Sequence, residues 1–111
     1  SLEEIKNLIT SYYNDDIKQK ILSGFSWKGY KVWLSTENQL NYKASHDLAM
    51  LKDGVNLPVT FKFGDEYAPD YHTFSTVEEL SDFYSKAVAY INNTLSAGWL
   101  KKEQIKWELY Q

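Results

Sequence analysis

Residues 57–95 read LPVTFKFGDEYAPDYHTFSTVEELSDFYSKAVAYINNTL, and a change of period inside that stretch decides the fold. Leu57, Val59, Phe61 and Phe63 alternate with Pro58, Thr60 and Lys62, the twofold repeat of a strand with one buried face. Pro58 has no N–H to donate and belongs near the start or on the edge of that strand. Gly64 to Asp70 is a turn-rich loop, and Tyr71 to Phe74 returns as a partner strand, so the stretch opens as a hairpin. The period then lengthens. Thr76 with Glu79 three residues on has the form of a capping box, and Leu80, Phe83, Tyr84, Ala87, Val88, Ile91 and Leu95 recur as one helical stripe. Gly98 is expected to end that helix, with Trp99 packing back and Leu100 to Trp107 forming a short terminal helix.

The same order stands upstream. Phe25 and Trp27 alternate with Ser26 and Lys28, and Tyr30, Val32 and Leu34 alternate with Lys31 and Trp33, a hairpin that turns at Lys28-Gly29. Thr36 as N-cap with Gln39 three residues later opens a second helix, which Gly54 stops. Its stripe of Leu40, Ala44, Leu48 and Leu51 is expected to pack on a sheet face. At the N-terminus Leu2, Ile5, Leu8, Ile9 and Tyr12 have helical spacing, Asn14-Asp15-Asp16 interrupts them, and Ile17, Ile21 and Leu22 continue briefly before Gly24. The predicted class is α+β: two antiparallel β-hairpins interleaved with three helices, α-ββ-α-ββ-α, with the helices packed on a mostly antiparallel sheet. No linker divides the chain, so residues 1–111 are expected to form one domain, with 1–22 an N-terminal helical segment serving as an excised linker or an interface helix.

Composition narrows the chemistry. Eighteen aromatic side chains, four Trp, nine Tyr and five Phe, supply a core of few, large groups. The absence of cysteine removes disulfides, thiol catalysis and thiolate metal sites. All twelve basic residues are lysine, and the net charge is −3. Without arginine there is no bidentate fork for phosphate or guanine, and the net sign disfavours duplex binding, so nucleic acid is not an expected partner. No apolar run reaches the roughly 20 residues that span a bilayer, and Ser1-Leu2-Glu3-Glu4 lacks the basic start of a signal peptide.

Few residues offer reactive chemistry. His46 lies on the second helix and His72 on the fourth strand, and two separated histidines do not make up a zinc ligand set. Asp65, Glu66 and Asp70, and likewise Asp15 and Asp16, lack the ligand spacing of a calcium loop and read as solvated turns. No phosphate loop, nucleophile elbow or paired-histidine glutamate motif occurs, and Asn92-Asn93-Thr94, a sequon by letter, lies inside a helical stripe. The expectation is a non-enzymatic chain without metal or cofactor; a small enzyme with an unrecognised site is the outside alternative. Aromatic residues are the better candidates for contact. Trp33 points away from the Tyr30–Val32–Leu34 face, and with Tyr67, Tyr71 and Trp107 it could anchor a protein partner or stack on a sugar. The competing reading buries Trp33 beneath the N-terminal helix or the tail.

Pro58–Asp65, His72–Leu80, Ala87–Leu95 and Ala97–Lys102, with Gly29–Ser35 upstream, resemble an uncharacterised domain found at the ends of many bacteriophage tail and prophage proteins. The resemblance spans most of the chain from about residue 25 onward and rests on turn, cap and core positions, so no functional residue carries over. It implies a setting in the bacterial cytoplasm during expression or on the virion, and a structural or protein-interaction role in a tail protein. Separately, the amphipathic pattern of the N-terminal helix is expected to support self-association. A carbohydrate-binding module using Trp33 or Tyr67 is the alternative.

Overall fold

The computed structural model describes residues 1–110 and has the expected α-ββ-α-ββ-α order. The elements are α1 (Leu2–Ser23), β1 (Phe25–Trp27), β2 (Tyr30–Val32), α2 (Thr36–Leu51), β3 (Val59–Asp65), β4 (Ala68–Phe74) and α3 (Val77–Glu103), then a 3-10 turn at Trp107–Tyr110. The strands form two separate antiparallel pairs, β1 with β2 and β3 with β4. The molecule is elongated, 58 × 33 × 20 Å, because α1 and the far half of α3 extend away from the hairpins.

Local sequence accounts for most element ends. Lys28 and Gly29 both take positive φ, 48° and 83°, the backbone that a two-residue hairpin turn requires. Gly24 turns the chain out of α1 at φ 72°, and a Cβ there would lie 1.6 Å from the Val32 carbonyl oxygen, so only glycine fits. Thr76 caps α3 by accepting from the Glu79 N–H at 3.2 Å.

Several boundaries differ from the sequence reading. Asn14-Asp15-Asp16 does not interrupt α1: each costs only about 0.5 kcal/mol in helix propensity, Asn14 accepts from Lys102 Nζ at 2.9 Å, and Asp16 pairs with Lys20 at 2.9 Å. The cap of α2 is Ser35, whose hydroxyl accepts from Asn38 N–H at 3.2 Å, one residue before the expected Thr36. The expected loop from Gly64 to Asp70 is mostly strand. Asp65 pairs with Ala68, leaving only Glu66 and Tyr67 in the turn, and Gly64 lies opposite Pro69, whose missing N–H leaves no ladder donor unpaired.

The sharpest difference concerns Gly98. It lies inside α3 and is buried, and a Cβ there would stand 2.3 Å from Ile17 Cγ1. The glycine is the recess that lets α1 approach α3 rather than a helix stop. With the helix running on to Glu103, Trp99 does not pack back; it is 52% exposed, and the expected terminal helix shrinks to the 3-10 turn.

The core forms where both hairpins meet α3. Phe61, Phe63 and Phe74 surround Phe83 with ring centroids 5.8, 5.4 and 5.3 Å away, and Trp27 meets Phe83 edge-on at 5.3 Å. Tyr42 of α2 closes the cluster between Phe61 at 4.8 Å and Phe83 at 4.9 Å. Burial pushes the Tyr42 hydroxyl up to about 12.

Filling the Gly98 recess tests the α1–α3 contact. Gly98→Leu gains a little under ~1 kcal/mol of helix propensity, but its Cβ alone would stand 2.3 Å from Ile17, so the overpacking cost lies at the upper end of about 1–3 kcal/mol and the thermal midpoint should fall. Adding Ile17→Ala should recover part of the loss in the same calorimetric measurement. A Gly98→Leu midpoint equal to the parent's would contradict the contact.

Candidate functional site

Three arrangements of side chains have the composition of a site. The first is polar. The N-terminal turns of α3 carry Glu79 and Asp82 beneath the β1–β2 hairpin, and β4 presents His72 on the same inner face as Phe61 and Phe74. His72 Nδ1 lies 3.2 Å from the Tyr30 hydroxyl and Nε2 lies 3.0 Å from Glu79 Oε1, while Lys28 Nζ approaches Glu79 Oε2 at 3.7 Å. Beside them the Trp27 indole N–H donates to Asp82 Oδ2 at 3.0 Å, and Lys86 Nζ donates to the same oxygen at 3.1 Å.

Hydroxyl, imidazole and carboxylate in line have the composition of a proton relay, and sequence spacing could not reveal it because Tyr30, His72 and Glu79 come from three elements. Both ring nitrogens of His72 are engaged within the protein, so neither is left to face a substrate. The array ties the two hairpins to α3. His46 is held on one side only: it stacks on Tyr84 at 4.5 Å and its Nε2 lies 3.3 Å from Ser81 Oγ, while its buried Nδ1, 3.5 Å from Asp47 Oδ1, has no hydrogen-bond partner. Among the described residues no three His, Cys, Asp or Glu side chains converge on a metal position, and no helix is long and apolar enough to cross a membrane.

The second arrangement holds the aromatic candidates. Trp33 is half-buried: its indole N–H donates to the Gly64 carbonyl at 2.7 Å, and Lys31 Nζ lies 4.2 Å above its ring. It lines an open groove of about 610 Å³ with Asn38, Lys62, Asp65 and Glu66. Tyr67 is 95% exposed at the β3–β4 tip, and Tyr71 is exposed on the outer face opposite Lys62. Trp107 does not join them. It is half-buried near the start of α1, with Lys6 Nζ 5.8 Å from its ring centre.

The third arrangement reverses an expectation. The stripe Leu40, Ala44, Leu48 and Leu51 faces solvent: the three leucines are 64%, 43% and 77% exposed, and Ala44 is exposed as well. The inward face of α2 carries Asn38, Tyr42, Ser45 and Ala49 instead. Backbone satisfaction sets that rotation. Asn38 Nδ2 donates to the Trp33 carbonyl at 3.0 Å, Gln39 Nε2 to the Leu34 carbonyl at 2.9 Å, and Asn56 Nδ2 to the Ser45 carbonyl at 3.1 Å. Those amides must face the end of β2 and the loop after α2, which turns the leucines outward. Next to the stripe, Leu40, Lys43, Tyr84, Ala87, Val88 and Ile91 line an apolar groove of about 240 Å³ between α2 and α3.

No family model, curated protein or solved structure matches the chain.

The Trp27–Asp82 bond has a pH signature. The donated Trp27 N–H, followed by Lys86, holds the Asp82 carboxyl below its ordinary value. A depressed folded value means that the contribution is present above the ordinary carboxyl pKa of about 4 and is lost as pH falls through the folded value. The melting-temperature gap between the parent and Asp82→Asn should therefore be widest above about pH 5 and narrow on acidification. A gap constant from pH 2 to 7 would show that the carboxylate's charge contributes nothing.

Proposed function

We propose that this chain is a non-enzymatic protein-interaction domain that docks through the outward face of α2 and the groove beside it. The observation that carries the reading is the solvent-facing Leu40–Ala44–Leu48–Leu51 stripe. Apolar residues are common on protein surfaces singly, but a continuous row along one helix is the pattern of a contact face. The rotation of α2 is held by hydrogen bonds to Trp33, Leu34 and Ser45, so the row stays outward while the core remains filled by Tyr42. His72 supports the same reading, since both of its ring nitrogens are directed at protein groups, Tyr30 and Glu79. A setting in a phage or prophage tail protein rests on the resemblance of residues 25–102 alone.

Charging the stripe separates docking from stability. Leu40→Lys with Leu51→Lys should change unfolding free energy by no more than about 0.5 kcal/mol per site, as surface substitutions do, and should abolish co-assembly when the chain is expressed within its own gene context. A melting temperature lowered by many degrees would place the leucines in the core, and full co-assembly would refute α2 as the docking face.

Carbohydrate binding is a second reading, favoured by Tyr67 and Tyr71 standing exposed beside the Trp33 groove with its amide and carboxylates. Binding to a glycan array that disappears in Tyr67→Ala would support it; an array without signal for the parent chain would exclude the glycans it displays.

A further inference from the structure

The face that α2 presents is self-complementary, and from this we infer that its partner is a second copy of the same chain, joined by antiparallel packing of α2 on α2. This rests on the reading of α2 as the docking face. The stripe residues fall at positions 40, 44, 48 and 51, nearly symmetric about Ser45 and His46 in the C-terminal half of the helix. A twofold axis there sets Leu40 opposite Leu51 of the second copy and Ala44 opposite Leu48, so the centre alternates small against large side chains and the ends close with leucine on leucine.

The charges flanking the stripe follow the same symmetry. Lys43 and Asp47, already paired with each other along the helix, lie on one flank; Glu37 stands in line with the stripe at its N-terminal end and Lys52 beside its C-terminal end. The antiparallel pair brings each flank against its own counterpart. Lys43 of one copy then stands level with Asp47 of the other, and Glu37 stands level with Lys52. The Glu37–Lys52 contact occurs twice, and the in-chain Lys43–Asp47 pairs of the two copies face each other with opposite charges aligned. A parallel pair sets the two unlike flanks together and leaves Glu37 and Lys52 of the two copies at opposite ends of the helix.

The available area suits a modest dimer. Leu40, Leu48, Leu51 and Val55 expose 64%, 43%, 77% and 69% of their surface. Together that is roughly 400 Å² per copy, or about 800 Å² for the pair, the size of a weak, transient interface.

Charge exchange on the full chain tests the arrangement. Sedimentation equilibrium should find a monomer–dimer equilibrium with a micromolar dissociation constant. Glu37→Lys alone and Lys52→Glu alone should each weaken it about fivefold to tenfold, through exposed pairs replaced by repulsion on both sides of the axis. An equimolar mixture of the two variants should recover the parent affinity, because each then meets its opposite across the interface. Residues 37 and 52 lie about 22 Å apart along one helix, so recovery cannot arise within one chain. Circular dichroism melts confirm that the variants remain folded. A chain that stays monomeric up to millimolar concentration overturns the second copy as partner, while loss of co-assembly in the Leu40→Lys, Leu51→Lys pair would still uphold α2 as a docking face. A dimer indifferent to both exchanges overturns the antiparallel α2 arrangement.

Discussion

Trp27 stands where the two hairpins and α3 meet, and the rest of the head is arranged around its ring. The side chain is 2% exposed, with His72, Phe74 and Phe83 rings 5.2, 5.2 and 5.3 Å away. Its one polar atom reaches the Asp82 carboxylate on the first turns of α3. A buried indole N–H without a partner would cost about 1–3 kcal/mol, so the bond fixes how the β1–β2 hairpin sits on that helix. β3 and β4 hold the same helix through Phe61, Phe63 and Phe74, which means that two small sheets with no shared ladder still behave as one support. Neither pair would be stable alone, since an isolated two-stranded hairpin is marginal in water.

With the hairpins seated, hydrogen-bond demand decides the rest. The last residues of β2 leave the Trp33 and Leu34 carbonyls without strand partners, and α2 begins so soon afterward that its Asn38 and Gln39 amides supply the donors. Polar satisfaction therefore outranks the burial of three leucines. The core loses little by it, because Tyr42 brings a larger apolar area than any one of them and packs between two phenylalanine rings. The outcome is a helix that is amphipathic in the reverse sense, with its aliphatic row available for contact.

At the other end, α1 and α3 extend beyond the hairpins as a two-helix arm. Ile17 seated in the Gly98 recess and Tyr90 donating to the Lys20 carbonyl at 2.6 Å hold the two helices together. A glycine within a helix ordinarily weakens it by about 1 kcal/mol, and here the close approach of a second helix offsets that cost.

By itself the sequence determined the element types and their order, because periods of two and of three to four residues are local properties of the chain and do not depend on what packs against them. The Lys28-Gly29 turn, the Thr76 cap and the inward faces of β3 and α3 were legible for the same reason. Gly98 and Asn14-Asp15-Asp16 misled because helix breakers are weak, worth about 1 kcal/mol or less each, and tertiary contacts to Ile17 and Lys102 exceed them. The Tyr30–His72–Glu79 array could not be read at all, since 42 and 7 residues separate its bonded pairs. The α2 stripe was visible as a stripe but not as a surface. Periodicity says that a helix has an apolar face; only the tertiary structure, through carbonyls at the end of β2 that needed donors, decided that this one points outward.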